Sequence, residues 1–404
     1  MIRLKFLSIT LTAMMMAVTA TAETTKGWTT TWAAAAEFTG ESDMPAKSLS
    51  NRSIREIVKV SIGGSKIRLR LSNEFSATPL RIKSVFIADV KDSCDINSKS
   101  AKYVTFNKKR DVTILAGQAL NSDIITYNLK PLQRLAITIC YGDKTPVNAT
   151  SHRGSRTTSY IVEGAATPKT SFAVSERLEH WYNIASIDVE GDNGCIAIIG
   201  NSITDGRGST TDKQNRWPDI FSASLQDKGL RMGVANLGIG GNSVFFGGLS
   251  QPAQQRFDRD VLGQTNVKYV IVFEGVNDIG SAENDAEIRA KKIIEVYQEF
   301  IDKCHERGIM VIGGTIMPFK HSFYEGHFKE AARQYVNSWI RTEGHFDGVI
   351  DFDELMHDSN DPSALKEDLQ SDWLHPNAKG YKVMGTFAAE KFLSIIQQKS
   401  QTKQ

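Results

Sequence analysis

Cys195-Ile196-Ala197-Ile198-Ile199 is a wholly apolar run. It breaks into Gly200-Asn201-Ser202-Ile203-Thr204-Asp205-Gly206-Arg207-Gly208-Ser209, a polar stretch rich in turn formers. A short apolar run bounded by such a turn predicts a strand buried on both faces. Similar runs follow at 232–236, 268–273, 309–316 and 348–352. Helix-periodic segments lie at 216–228, 286–307, 328–341 and 377–397, the last preceded by Pro376. Strands alternating with helices predict an α/β architecture, a parallel sheet covered on both faces. Ligands of such sheets bind beyond the carboxyl ends of the strands, so the polar residues directly after each strand are the candidates for chemistry.

Upstream the pattern changes. Segments 54–62, 67–71, 82–90, 112–115, 123–129 and 133–141 are rich in alternating apolar and polar residues and are separated by turn formers. They predict an all-β sandwich. Gly63-Gly64, between the first two, predicts a hairpin. Arg68 and Arg70 then fall on its outer face, as part of a solvated surface more readily than as sugar ligands. Gly191-Asp192-Asn193-Gly194 is a turn-rich joint between the two patterns. At the far N-terminus Arg3 and Lys5 precede an apolar run from 6 to 18, and Ala20-Thr21-Ala22 offers a small-x-small cleavage site. This is the pattern of a secretory signal peptide. The expected organisation is a leader at 1–22 cleaved after Ala22, a β-sandwich at 23–191 and a catalytic domain at 192–404. The expected location is secreted or periplasmic, and residues 397–404 are expected to fray.

The 404 residues carry a formal net charge of +2, and 41% are hydrophobic. Acids and bases are interspersed, so no nucleic-acid footprint is present. No segment beyond the leader is long and apolar enough to span a bilayer, which predicts no stable membrane insertion. Four cysteines are present, Cys94, Cys140, Cys195 and Cys304. Cys94 and Cys140 fall in the first domain and are candidates for a disulfide in an oxidising compartment. Cys195 and Cys304 lie in a strand and a helix, where a buried thiol acts as a small hydrophobe. No Cys/His cluster has zinc spacing. Oligomeric state is not legible.

Four strand-end blocks hold the candidate chemistry. The first presents Ser202 on a turn. It lacks the second glycine of a Gly-x-Ser-x-Gly elbow, since Thr204 stands there, and no Gly-Lys-Ser/Thr of a P-loop follows. Taken alone it also reads as an ordinary Ser/Asn/Gly loop. Asn236-Leu237-Gly238-Ile239-Gly240-Gly241-Asn242-Ser243 lacks dinucleotide spacing and fits a bare-backbone loop that aims an N–H into a site. In Glu274-Gly275-Val276-Asn277-Asp278 the Asn277 amide is either a donor to developing negative charge or a cap of the turn. In Ser371-Asp372-Trp373-Leu374-His375-Pro376 a carboxylate three residues before a histidine can hold one ring nitrogen and leave the other to act as a base. A surface histidine in a helix-start loop is the plain alternative.

In this order, and each at a strand end, the four blocks resemble those of the SGNH hydrolases, or GDSL-type esterases, over roughly residues 195–398. The resemblance implies a flavodoxin-like three-layer fold for that domain. It implies Ser202 as nucleophile, His375 as base and Asp372 as its orienting partner. It also implies an oxyanion hole of the Ser202 and Gly241 N–H groups and the Asn277 amide, with no cofactor and no metal. One departure is present: Gly200-Asn201-Ser202 stands where the family usually has Gly-Asp-Ser. Thr31-Trp32-Ala33-Ala34, Leu71-Ser72-Asn73-Glu74-Phe75 and the 236–242 block are similar to a secreted bacterial branch associated with plant cell-wall polysaccharide. That branch implies an acetylated carbohydrate substrate. A lysophospholipase or thioesterase, and a carbohydrate-binding protein with a relict hydrolase domain, are the competing readings. Arg207 and Trp373 are the candidate substrate contacts, with Trp217, Phe245 and Phe246 also near the motif loops.

Overall fold

The computed structural model describes residues 27–248 and 250–402. The expected leader at 1–22 lies outside them. Five parallel strands form one sheet, in the order Gly233–Gly238, Cys195–Gly200, Val267–Phe273, Met310–Gly314, Gly348–Ile350. Counted along the chain this is 2-1-3-4-5, the flavodoxin order. The first crossover runs one way from Cys195–Gly200 and the later ones run the other way. Right-handed connections therefore place helices on both faces. Trp217–Asp227 packs with Ala378–Thr402, and Ala286–His305 with His327–Arg341. Ile196, Ile198, Val270, Ile271, Val311 and Ile312 are fully buried between these layers, as the continuous apolar runs require.

The preceding residues form antiparallel sheets of five and seven strands around a second core. The expected hairpin at Gly63-Gly64 is not formed. Arg52–Lys59 pairs with Arg134–Tyr141 and Ser159–Glu163, whereas Gly64–Ser72 pairs with Ile184–Glu190 and Ile125–Leu129 in the other sheet. The two glycines turn a corner between sheets, and alternation on either side of a turn does not reveal which sheet each strand joins. Arg68 is also not solvated. It is buried, bonded to Asp188 at 3.0 Å, with its guanidinium 4.4 Å from the centre of the Trp28 ring. Cys94 and Cys140 are buried and unpaired, as are Cys195 and Cys304. The last helix runs through Thr402, beyond the point where fraying was expected.

The antiparallel and parallel parts are closely joined. Trp28–Ala33 lies against Gly233–Gly238, Thr30 N–H donates to the Thr265 carbonyl at 3.1 Å, and Val234 N–H donates to Ser61 Oγ at 2.9 Å. Ala33 and Ala35 belong to the parallel-sheet core. A third, small sheet of Trp181–Tyr182, Thr150–His152 and Glu37–Phe38 points its loop ends at the carboxyl end of the parallel strands.

Candidate active site

Strand Cys195–Gly200 ends in a turn whose first residue, Asn201, caps the single helical turn Ser202–Asp205 by accepting from Ile203 N–H at 3.0 Å. The cap fixes Ser202 at the start of that turn, with its hydroxyl facing the cavity. Ser202 Oγ lies 2.8 Å from His375 Nε2. His375 Nδ1 lies 2.8 and 3.0 Å from the two Asp372 oxygens. Nδ1–H donating to the carboxylate leaves Nε2 as the acceptor for the serine proton. Burial works to raise the Asp372 pKa, but the His375 ring and the backbone N–H groups of His375 and Leu374 outweigh it and hold the group at about 2. The carboxylate therefore stays charged across the neutral and mildly acidic range.

Between Asp372 and His375 the chain must reverse sharply. Trp373 takes the strain, with φ of 61° and its N–H bonded to Gln370 Oε1 at 2.6 Å. Its ring packs against His321 and not on the cavity, so Trp373 shapes the turn and does not line the site. Trp217 is fully buried, with its indole N–H 3.4 Å from Thr204 Oγ1, and Phe245 packs on the core. Arg207 and Phe246 do line the cavity.

Gly241 has φ of 70°, a backbone shape that disfavours a side chain. Asp278 ties this loop to the next one by accepting from Val244 N–H at 2.8 Å. Among the described residues, neither Ser202 N–H nor Gly241 N–H is bonded elsewhere. Asn277 is not the cap of its turn; Gly275 holds that position. Its Nδ2 donates to the Asn242 carbonyl at 2.6 Å, while Oδ1 accepts from the Tyr324 hydroxyl at 3.0 Å. The second Nδ2 hydrogen remains for the cavity. Ser202, Gly241, Asn277 and His375 line one cavity of about 460 Å³. The geometry can remove a proton from Ser202 and offers three donors to an oxyanion.

The departure at Asn201 has a local counterpart. Glu274, buried behind the turn, is pushed well above the usual carboxylate range by burial and then by Asp278, while Arg256 and the Asn201 amide oppose this. An aspartate at 201 would add another acid to that buried group.

Several residues of the site had no local signal in the sequence. Tyr324 is one. The others come from the small antiparallel sheet and the loop after it: Glu37, His152, Arg153, Gly154 and Arg156. His152 Nε2 is 2.9 Å from Asp205 Oδ1, and Arg156 Nη2 is 2.8 Å from Asp205 Oδ2. Burial opposes the charge on both members of the His152–Asp205 pair. Their mutual attraction wins, raising the histidine and lowering the aspartate. Glu37 accepts from Arg153 at 2.6 and 3.0 Å and from Ser250 at 2.6 Å. Among the described residues no cluster of His, Cys, Asp or Glu is arranged to hold a metal ion, and no helix is long and apolar enough to cross a membrane.

Residues 198–383 match the GDSL-like lipase/acylhydrolase family, and this part of the chain is a domain of that family. Comparison with curated proteins gives no match. Among solved structures the chain is similar to an acetyl xylan esterase at 23% identity, covering 50% of this chain and 98% of that one with a TM-score of 0.39. It is also similar to a family two carbohydrate esterase from Cellvibrio japonicus at 11% identity, covering 85% and 89% with a TM-score of 0.37. A third is a GDSL-like lipase from Bacteroides thetaiotaomicron at 18% identity, covering 51% and 89% with a TM-score of 0.38.

Proposed function

We propose that this protein is an exported serine esterase that removes O-acetyl groups from plant cell-wall polysaccharide or its oligosaccharides. The observation that carries the chemistry is the chain of short hydrogen bonds from Ser202 through His375 to Asp372, at the wall of a cavity that Gly241 and Asn277 also face. Ser202 Oγ attacks the ester carbonyl as His375 Nε2 takes its proton. The tetrahedral oxyanion lies against the N–H groups of Ser202 and Gly241 and the Asn277 amide. His375 gives its proton to the leaving sugar hydroxyl. The same histidine then activates water, which releases acetate and restores Ser202.

Support for a sugar comes from the cavity wall, where polar and charged side chains alternate with Phe246, Phe323 and Tyr324. Exposed aromatic faces suit sugar rings. Support for export is the leader pattern at 1–22. The test compares acetate release from acetylated xylan and acetylated pectin with hydrolysis of aryl esters of increasing chain length. The expected result is acetate release that vanishes in Ser202→Ala, with short chains preferred over long ones. Preference for long acyl chains would replace the carbohydrate reading with a lipid or thioester one.

A further inference from the structure

We infer that Arg156 and Arg207 bind a carboxylate on the substrate, so that the esterase acts on O-acylated acidic saccharides, chains containing uronate, in preference to neutral ones. This rests on the esterase reading above and extends it to the substrate class.

The cavity is lined by both aromatic and basic side chains: Phe246, Phe323 and Tyr324 among the first, Arg153, Arg156 and Arg207 among the second. Two carboxylates, Glu37 and Asp205, lie beneath the arginines. Each is buried and already bonded, Glu37 by Arg153 and Ser250, Asp205 by His152 and Arg156. Asp372 is engaged by His375 and is not part of the cavity wall. The acids thus position the guanidinium groups more than they cancel them at the surface. Arg156 gives Nη2 to Asp205, yet its buried Nε donates to no described group. Arg207 is exposed at the rim and is ion-paired with no described carboxylate.

A guanidinium fork matches a carboxylate in geometry as well as charge. Asp205 ends the helical turn that Ser202 begins, and Arg207 follows two residues later. An anionic group held there lies within a sugar residue or two of the ester being cleaved. A neutral chain would leave the rim arginine without a counter-charge.

The test uses the full chain with a lysophospholipid and four acetylated substrates: 4-nitrophenyl acetate, unsubstituted acetylated xylan, acetylated polygalacturonate, and the same polygalacturonate with its carboxylates methyl-esterified. The expected result is a preference for the free-acid polymer. It should weaken with added salt and fall about tenfold on methyl esterification, as loss of one charge-assisted contact implies. Arg207→Gln should reduce the ratio of acidic to neutral kcat/KM by a similar factor, chiefly through KM, and Arg207→Glu should reduce it further. Methyl esterification leaves the protein untouched, so that arm stands even if a variant folds poorly. Equal or faster turnover of the neutral polymers overturns the inference while leaving the esterase intact. Selective hydrolysis of a lysophospholipid overturns it in favour of a lipid phosphate at the same arginines. No turnover of any substrate, 4-nitrophenyl acetate included, removes the esterase reading and this inference with it.

Discussion

Asn277 can be oriented two ways, and the Asn242 carbonyl decides between them: it can only accept, so it takes Nδ2, which leaves Oδ1 to accept from the Tyr324 hydroxyl and the second Nδ2 hydrogen for the cavity. Turned the other way, the amide would present an acceptor to an oxyanion and repel it. Tyr324→Phe leaves that carbonyl in place but removes a supporting hydrogen bond of about 1 kcal/mol that steadies the amide. The expected effect is a drop in kcat of several-fold with little change in KM, smaller than the roughly 10²–10³-fold loss for removing the donor itself in Asn277→Ala. An unchanged kcat in Tyr324→Phe would mean that the Asn242 carbonyl alone holds the amide. At this scale the sequence is legible where chemistry is local. Asp372 and His375 are three residues apart, and Ser202 opens a turn directly after an apolar strand. Tyr324 is not legible, because nothing near position 324 signals contact with a residue 47 positions earlier. Trp373 shows the opposite error. An aromatic beside a catalytic motif invites assignment to the pocket, but its positive φ serves the turn.

Secondary structure delivers these side chains with differing legibility. The parallel strands can be read from their apolar runs, and the ends of the first three in chain order locate Ser202, Gly241 and Asn277. The antiparallel strands alternate as expected, but alternation carries no address. For that reason the Gly63-Gly64 corner reads as a hairpin, and the small sheet of Glu37–Phe38, Thr150–His152 and Trp181–Tyr182 is not recognisable at all. Yet that sheet brings His152, Arg153 and Arg156 to the turn that carries Ser202. The contact is close: a Cβ on Gly154 would lie 1.8 Å from Asp205 Oδ2. Gly154→Ala must therefore displace either the loop or Asp205, loosening the His152 and Arg156 contacts. Overpacking of this kind costs about 1–3 kcal/mol. We expect a lower denaturation midpoint and reduced turnover, although neither Ser202 nor His375 is altered. Wild-type stability and activity in this variant would show that the loop is not tightly seated on the catalytic turn.

Across the whole molecule, the antiparallel part supplies one wall of the cavity as well as a strand, Trp28–Ala33, laid against the parallel sheet. Composition and charge give no hint of this arrangement. The net charge of +2 is small, and the arginines at the cavity are a local concentration within a balanced chain. The parallel sheet fixes where Ser202, the proposed nucleophile, stands, and the small antiparallel sheet helps to fix what charge faces it. Both depend on Ser202 being the reactive atom. The direct measurement is to treat the full chain with a fluorophosphonate and map the adduct by peptide mass. The account predicts one covalent adduct per chain, on Ser202, formed together with loss of ester hydrolysis and strongly slowed in His375→Ala. Ester hydrolysis that persists in fully labelled protein, or an adduct on a residue other than Ser202, would contradict it.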